Sequence, residues 1–99
     1  MVRIELYVVT TLVNDKAKLE LEQLKVELCR EFGGLTVVPN CKGYWLTNEE
    51  LDYDDTEIWI ILSATVITSS TIMKYAERLK SICSQKVQLF TANNTPYFV

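Results

Sequence analysis

The chain reads as an α+β domain of order β-α-β-β-α-β, and three observations predict it. Two segments carry apolar residues at helical spacings of three and four, Ala17, Leu21, Leu24, Leu28 and Phe32 in the first and Ile72, Ala76, Leu79 and Cys83 in the second. The segments before, between and after them alternate or run apolar as strands do. The stretch Phe32-Gly33-Gly34-Leu35-Thr36 supplies a glycine able to end a helix in the left-handed conformation, followed at once by a β-prone run. Elements in this order pack as a four-stranded antiparallel sheet with both helices on one face, the ferredoxin-like arrangement.

Each element follows from its residues. In Val2–Val9, the residues Val2, Ile4, Leu6 and Val8 point one way and Arg3, Glu5, Tyr7 and Val9 the other, the period of a strand. Asn14 or Asp15 caps the helix that follows, with Lys16–Glu20 and Lys18–Glu22 placed to pair along its outer face. Leu19, Val26 and Cys29 lie beside the apolar stripe and read as added core contact. Residues 35–38 and 44–47 form a second strand bent at Pro39-Asn40-Cys41-Lys42-Gly43. Residues 48–55 read as an acidic hairpin loop, and residues 56–66 as a central strand apolar on both faces. Thr68-Ser69-Ser70 caps the second helix, residues 86–92 alternate again, and Asn93-Asn94 turns the chain towards its end.

Composition narrows the chemistry. Ninety-nine residues make one domain, residues 1–99, with one core. Histidine is absent, which removes the usual general base and the commonest transition-metal ligand, so Ser-His, Cys-His and His-zinc catalysis are excluded. The three cysteines, Cys29, Cys41 and Cys83, are odd in number and lack CxxC spacing, as expected of reduced thiols in the cytoplasm. The start lacks the pattern of an export signal, and the longest apolar run falls far short of the roughly 20 residues a membrane span needs. The net charge of −3 disfavours a phosphate-backbone binder, and no basic, glycine-aromatic run of the RNA-recognition type occurs. Neither nucleic acid nor membrane is therefore an expected partner.

Candidate functional residues are few. Glu49, Glu50, Asp52, Asp54, Asp55 and Glu57 are dense enough to attract a hard cation, but they lack the spacing of a calcium loop and read as a solvated hairpin with no metal. Glu57 opens an apolar strand, where burial would raise its pKa, and an edge salt bridge is the plainer alternative. Cys41 beside Lys42 is the one thiol placed for activation, although no base accompanies it. No cofactor is implied.

The pattern Phe32-Gly33-Gly34-x-Thr36, then Gly43 and Trp45, then Glu57 resembles a family of small uncharacterised bacterial and phage proteins of unknown function. The resemblance implies a single ferredoxin-like domain and one place, Thr36, Gly43, Trp45 and Glu57, as a shared ligand-binding site. The uncovered face of the sheet is expected to carry Tyr7, Trp59, Ile61 and Phe90, too much aromatic surface to leave wet, and so to form a homodimer interface. The resulting reading is a homodimeric binding or regulatory module for a small ligand or a protein, favoured over an enzyme, with no residue assigned to catalysis. A small carboxylate-based enzyme and a phage- or plasmid-encoded inhibitor of a host protein are the alternatives.

Overall fold

The structure, a computed structural model, describes residues 1–99. Its elements are β1 (Val2–Val9), α1 (Asp15–Phe32), β2 (Thr36–Thr47), β3 (Glu50–Ser63), α2 (Ser69–Ile82), β4 (Leu89–Ala92) and β5 (Thr95–Phe98). The sheet is antiparallel throughout, in the order β2-β3-β1-β4-β5. The fold is thus α+β with two helices, as the sequence predicts, but the sheet has five strands rather than four. The fifth arises because Asn93 and Asn94 both adopt positive φ, 49° and 68°. These left-handed residues close a tight hairpin that turns the C-terminal segment back along β4.

The helix boundaries lie where their capping chemistry puts them. Asn14 accepts the Ala17 amide at 2.8 Å, and Gly33, at φ 88°, donates its amide to the Cys29 carbonyl and closes α1. Thr68 caps α2 through the Thr71 amide. Ala17, Leu21, Leu24 and Leu28 are buried as predicted, whereas Leu19, Val26 and Cys29 face solvent and add nothing to the core. Within α1 the ion pair formed is Lys25–Glu22, not either of the expected pairs.

One cluster joins Ile4, Leu6 and Val8 of β1, Trp59 and Ile61 of β3 and Phe90 of β4 to Leu21, Leu24 and Leu28 of α1 and Ile72, Tyr75, Ala76 and Leu79 of α2. Both helices therefore cover the same face of the sheet. The register explains the membership: Leu6 lies directly opposite Trp59 on one side and Phe90 on the other, and Ile4 lies opposite Ile61. Directly opposed residues in antiparallel strands share a face.

This register corrects the expected interface. Trp59 and Ile61 have no exposed surface, and Phe90 is 3% exposed, because all three lie beneath the helices and are sealed by their own chain. Only Tyr7 of the four predicted interface residues faces the uncovered side, together with Val9, Ile58, Ile60 and Leu62. The centre of the sheet is β1, with β3 beside it rather than central as expected; both side-chain sets of β3 are apolar, so alternation alone assigns neither to the helices. A one-residue choice of register exchanges them.

The acidic segment is also different from the loop expected. Only Asn48 and Glu49 form the turn, at φ 49° and 66°, and β3 starts at Glu50. Since β1 ends opposite Thr56, the paired segments 41–47 and 50–55 run beyond the body as a two-stranded ribbon. The molecule accordingly extends 43 × 30 × 22 Å.

Candidate functional site

The ribbon leaves the sheet at a bulge between Val38 and Cys41, where Pro39 and Asn40 have no partner on β3 and Asn40 takes φ 58°. A bulge of this kind bends the strand and raises its local twist. Beyond it, Cys41, Gly43, Trp45 and Thr47 continue the uncovered face, opposite Thr56, Asp54, Asp52 and Glu50. The bend brings Trp45 over the end of the sheet. Its indole donates to Thr47 Oγ1 at 2.9 Å, which fixes the ring.

Between this ring and the body lies an apolar hollow of about 510 Å³, walled by Tyr7 and Val9 of β1, Gly43 and Trp45 of β2, Leu89 of β4 and Phe98 of β5, with Asp54 as its one formal charge. A methyl group on Gly43 would meet Thr56 Oγ1 at 3.7 Å, an ordinary contact, so space at this position is not restricted to glycine. Tyr7 donates its hydroxyl to Glu5 Oε2 at 3.0 Å, and Arg3 donates to the other oxygen of Glu5 at 2.8 Å. The hydrogen bond from Arg3 holds the Glu5 carboxyl below its ordinary range, while burial and then the Glu5 contact push the Tyr7 phenol up. Tyr7 is thus a neutral aromatic wall with its polar tip already engaged. The hollow offers stacking surfaces and desolvation, and it contains no paired nucleophile and base.

The four residues of the predicted ligand site do not converge. Gly43 and Trp45 share the hollow. Thr36 begins β2 on the order of 20 Å further along the strand, in a shallow groove with Phe32, Gly33, Leu35, Ile60 and Leu62. Glu57 faces the opposite side of the sheet, across from Val8, and it accepts the Trp59 indole N–H at 3.0 Å instead of forming a salt bridge. Cys41 is likewise separated from Lys42: successive strand residues point to opposite faces, and Lys42 is engaged with Asp55 at 3.1 Å and lies over the Tyr53 ring. The Cys41 thiol contacts the Val38 and Pro39 carbonyls at 3.8 and 3.7 Å. Nowhere do three or more cysteine, aspartate or glutamate side chains converge as a metal site would require.

Sequence reasoning set Val9 on the same side of β1 as Tyr7, but it missed Leu89, Phe98 and Asp54 as lining residues. The alternation predicted around β4 sets Leu89 and Phe90 on opposite faces, as the structure does. Nothing in the local sequence showed that β5 would bring Phe98 beside them.

No protein-family model matches the sequence, and no match was found among curated proteins. Solved structures are similar in fold. A phage SAM lyase in complex with S-methyl-5'-thioadenosine superposes with a TM-score of 0.70 at 8% identity, over 99% of this chain and 88% of that one. The divalent cation tolerance protein CutA1 from Thermus thermophilus gives a TM-score of 0.59 at 15% identity, over 96% of this chain and 84% of that one. CutA1 from Oryza sativa gives 0.58 at 17%, over 97% and 78% respectively. At these identities the likeness is one of fold.

Proposed function

We propose that the chain is a self-associating small-molecule-binding module whose ligand occupies the hollow under Trp45, and that the ligand is an adenosine thioether or its sulfonium parent. The observation that carries this reading is the hollow itself. Its size lies within the roughly 300–1,000 Å³ of small-molecule pockets, and its lining has their usual character of apolar and aromatic walls with few polar groups. Tyr7, Trp45 and Phe98 offer ring faces on which a purine stacks. A sulfonium is attracted to the same ring faces and to the Asp54 carboxylate. The phage SAM lyase that shares this fold along nearly the whole chain was captured with S-methyl-5'-thioadenosine, which supports testing that ligand class first.

The ribbon supports the self-associating reading. On its other face Tyr44, Leu46, Leu51 and Tyr53 are 59%, 70%, 69% and 47% exposed, although they continue the face that the helices cover in the body. An isolated two-stranded ribbon is marginal in water, and an apolar strip on it calls for cover. Proline at Pro39 in β2 and at Pro96 in β5 blunts pairing along the edges of the body. The outer edge of the ribbon, from Cys41 to Thr47, carries none, and a second copy would find its free backbone there.

Titration calorimetry with S-methyl-5'-thioadenosine and with S-adenosylmethionine tests the ligand. Saturable binding that weakens in Trp45→Ala is the expected result, and no binding of either compound at millimolar concentration overturns the reading. A second reading, catalysis, is favoured by the same structural neighbour. Chromatography of S-adenosylmethionine incubated with the protein decides it. Release of S-methyl-5'-thioadenosine would mean that the C–S bond to the amino-acid arm breaks, with the electron pair returning to sulfur and the arm closing on its own carboxylate or losing a proton.

A further inference from the structure

A second cleft, on the helix-covered side of the sheet, is independent of the hollow under Trp45 and larger, at about 610 Å³. Its walls are Thr10, Val13, Lys18, Leu21, Lys25 and Glu57, with Glu22 at the rim. Three features set it apart from an ordinary charged surface.

First, Glu57 is a partly buried carboxylate at the margin of the core, opposite the fully buried Val8. It takes part in none of the four ion pairs. The Trp59 indole donates to one of its oxygens and aims the group, leaving acceptor capacity on the carboxylate.

Second, the cations of the cleft come from the facing helix and do not reach Glu57. Lys18 is unpaired. Lys25 lies 5.5 Å from the centre of the Trp59 ring and bonds Glu22 at 2.8 Å. The Trp59 indole thus lies against Glu57 at its edge and Lys25 at its face, and holds opposite charges in one cleft without letting them meet.

Third, the cleft is balanced. Lys18 and Lys25 offset Glu22 and Glu57, so a ligand of zero net charge is favoured, and one carrying both signs on neighbouring atoms satisfies both walls. Val13 and Leu21 add an apolar surface for a side chain.

We propose that this cleft binds a free α-amino acid with an apolar side chain, its ammonium on Glu57, its carboxylate on Lys18 and Lys25, and its side chain against Val13 and Leu21. Charge-assisted hydrogen bonds of this kind are the strong ones, and each loses most of its value when one partner is neutralised.

The chain contains two tryptophans, so two indole N–H signals report the two sites separately in a proton–nitrogen NMR spectrum of the intact protein. L-leucine should shift the Trp59 indole signal saturably and leave that of Trp45 in place. N-acetyl-L-leucine, which lacks the ammonium, and L-leucinamide, which lacks the carboxylate, should each bind at least about tenfold more weakly. Glu57→Gln keeps an acceptor for the Trp59 indole and so preserves the fold, but it should lose the same factor, while Asp52→Asn, on the ribbon and outside both sites, should lose nothing. Equal binding of the blocked analogues, or a Trp59 signal unmoved by millimolar L-leucine, overturns the proposal. Either result leaves the hollow under Trp45 to be judged by its own signal, which S-methyl-5'-thioadenosine should move.

Discussion

The two halves of the β2–β3 hairpin obey the same pairing rules and meet opposite fates. From Thr56 to Ser63, β3 is paired with β1, and as far as Ile60 it has β2 on its other side, and Trp59, Ile61 and Ser63 are buried beneath the helices. From Glu50 to Asp55 the same strand has β2 as its only full-length neighbour, and none of its side chains is buried. The ribbon retains the alternation of a half-buried strand, with Tyr44, Leu46, Leu51 and Tyr53 on one face and acids opposite Trp45 on the other. Its pattern is that of an element built to be covered, while its surroundings within one chain supply no cover. The difference separates residues that make the fold from residues available to make contacts.

That comparison is broken most sharply by substitution in each half. Trp59→Ala should cost about 3–5 kcal/mol, a large part of the stability of a domain this size, and a charge at the same position should prevent folding. Urea denaturation followed by circular dichroism reads both. In the ribbon, the triple change of Leu46, Leu51 and Tyr53 to serine should alter the denaturation midpoint of the monomer little, by about 0.5 kcal/mol or less for each exposed position. The same variant should convert an oligomer to an 11.4 kDa monomer in light scattering. If it unfolds like Trp59→Ala, the ribbon belongs to the core in a way its exposure does not show. If wild type is already a monomer at micromolar concentration, the self-associating reading fails.

A smaller effect is expected at Trp45, which belongs to the ribbon but walls the hollow against the body and is 40% exposed. Removing its ring should leave stability nearly unchanged and weaken adenosine thioether binding by about 1–3 kcal/mol, the usual worth of a base stacked on an aromatic side chain. A loss of stability matching the loss of affinity would make Trp45 a structural residue instead.

The acidic face of the ribbon should respond less still. Asp52→Asn with Asp54→Asn should shift the melting temperature little, since exposed like charges lose little on neutralisation, and calcium or magnesium should leave it unchanged. A clear rise with either ion that vanishes in the double variant would reveal a site that the dispersed carboxylates do not suggest.

The smallest difference concerns pH. Burial pushes the Tyr75 phenol up to about 12, helped by its hydrogen bond to Glu31, and pushes the Cys83 thiol up to about 11. Both groups are neutral when protonated, so the native state retains these protons while the unfolded chain gives them up. Their contribution is therefore whole below the unfolded values, 9.0 for the thiol and 10.0 for the phenol, and is lost as pH rises through the folded ones. Tyr75→Phe should flatten the alkaline end of the stability profile, between about pH 10 and 12, and leave neutral pH comparatively unaffected. No change in that slope would remove Tyr75 from the account.

Much of the architecture is local and was legible in the sequence. The stripes of α1 and α2, the caps at Asn14, Gly33 and Thr68, and the bend near Pro39 each rest on residues within a few positions of one another. What the sequence left open was which side of β3 the helices would cover. Ile58 and Ile60 are as apolar as Trp59 and Ile61, and the choice depends on register against β1, a pairing between strands far apart in the chain. The same applies to the candidate sites. Tyr7, Trp45 and Phe98 come from strands at the two ends of the chain and its middle, and only the closed sheet makes them neighbours. Glu57 was singled out from its position in the sequence, but its partner, the Trp59 indole, and its separation from Trp45 were decided by strand alternation once the register was set. Short-range stereochemistry determined the elements. The faces they present, and so what this protein can bind, were determined by long-range pairing, where one residue of slip exchanges inside for outside.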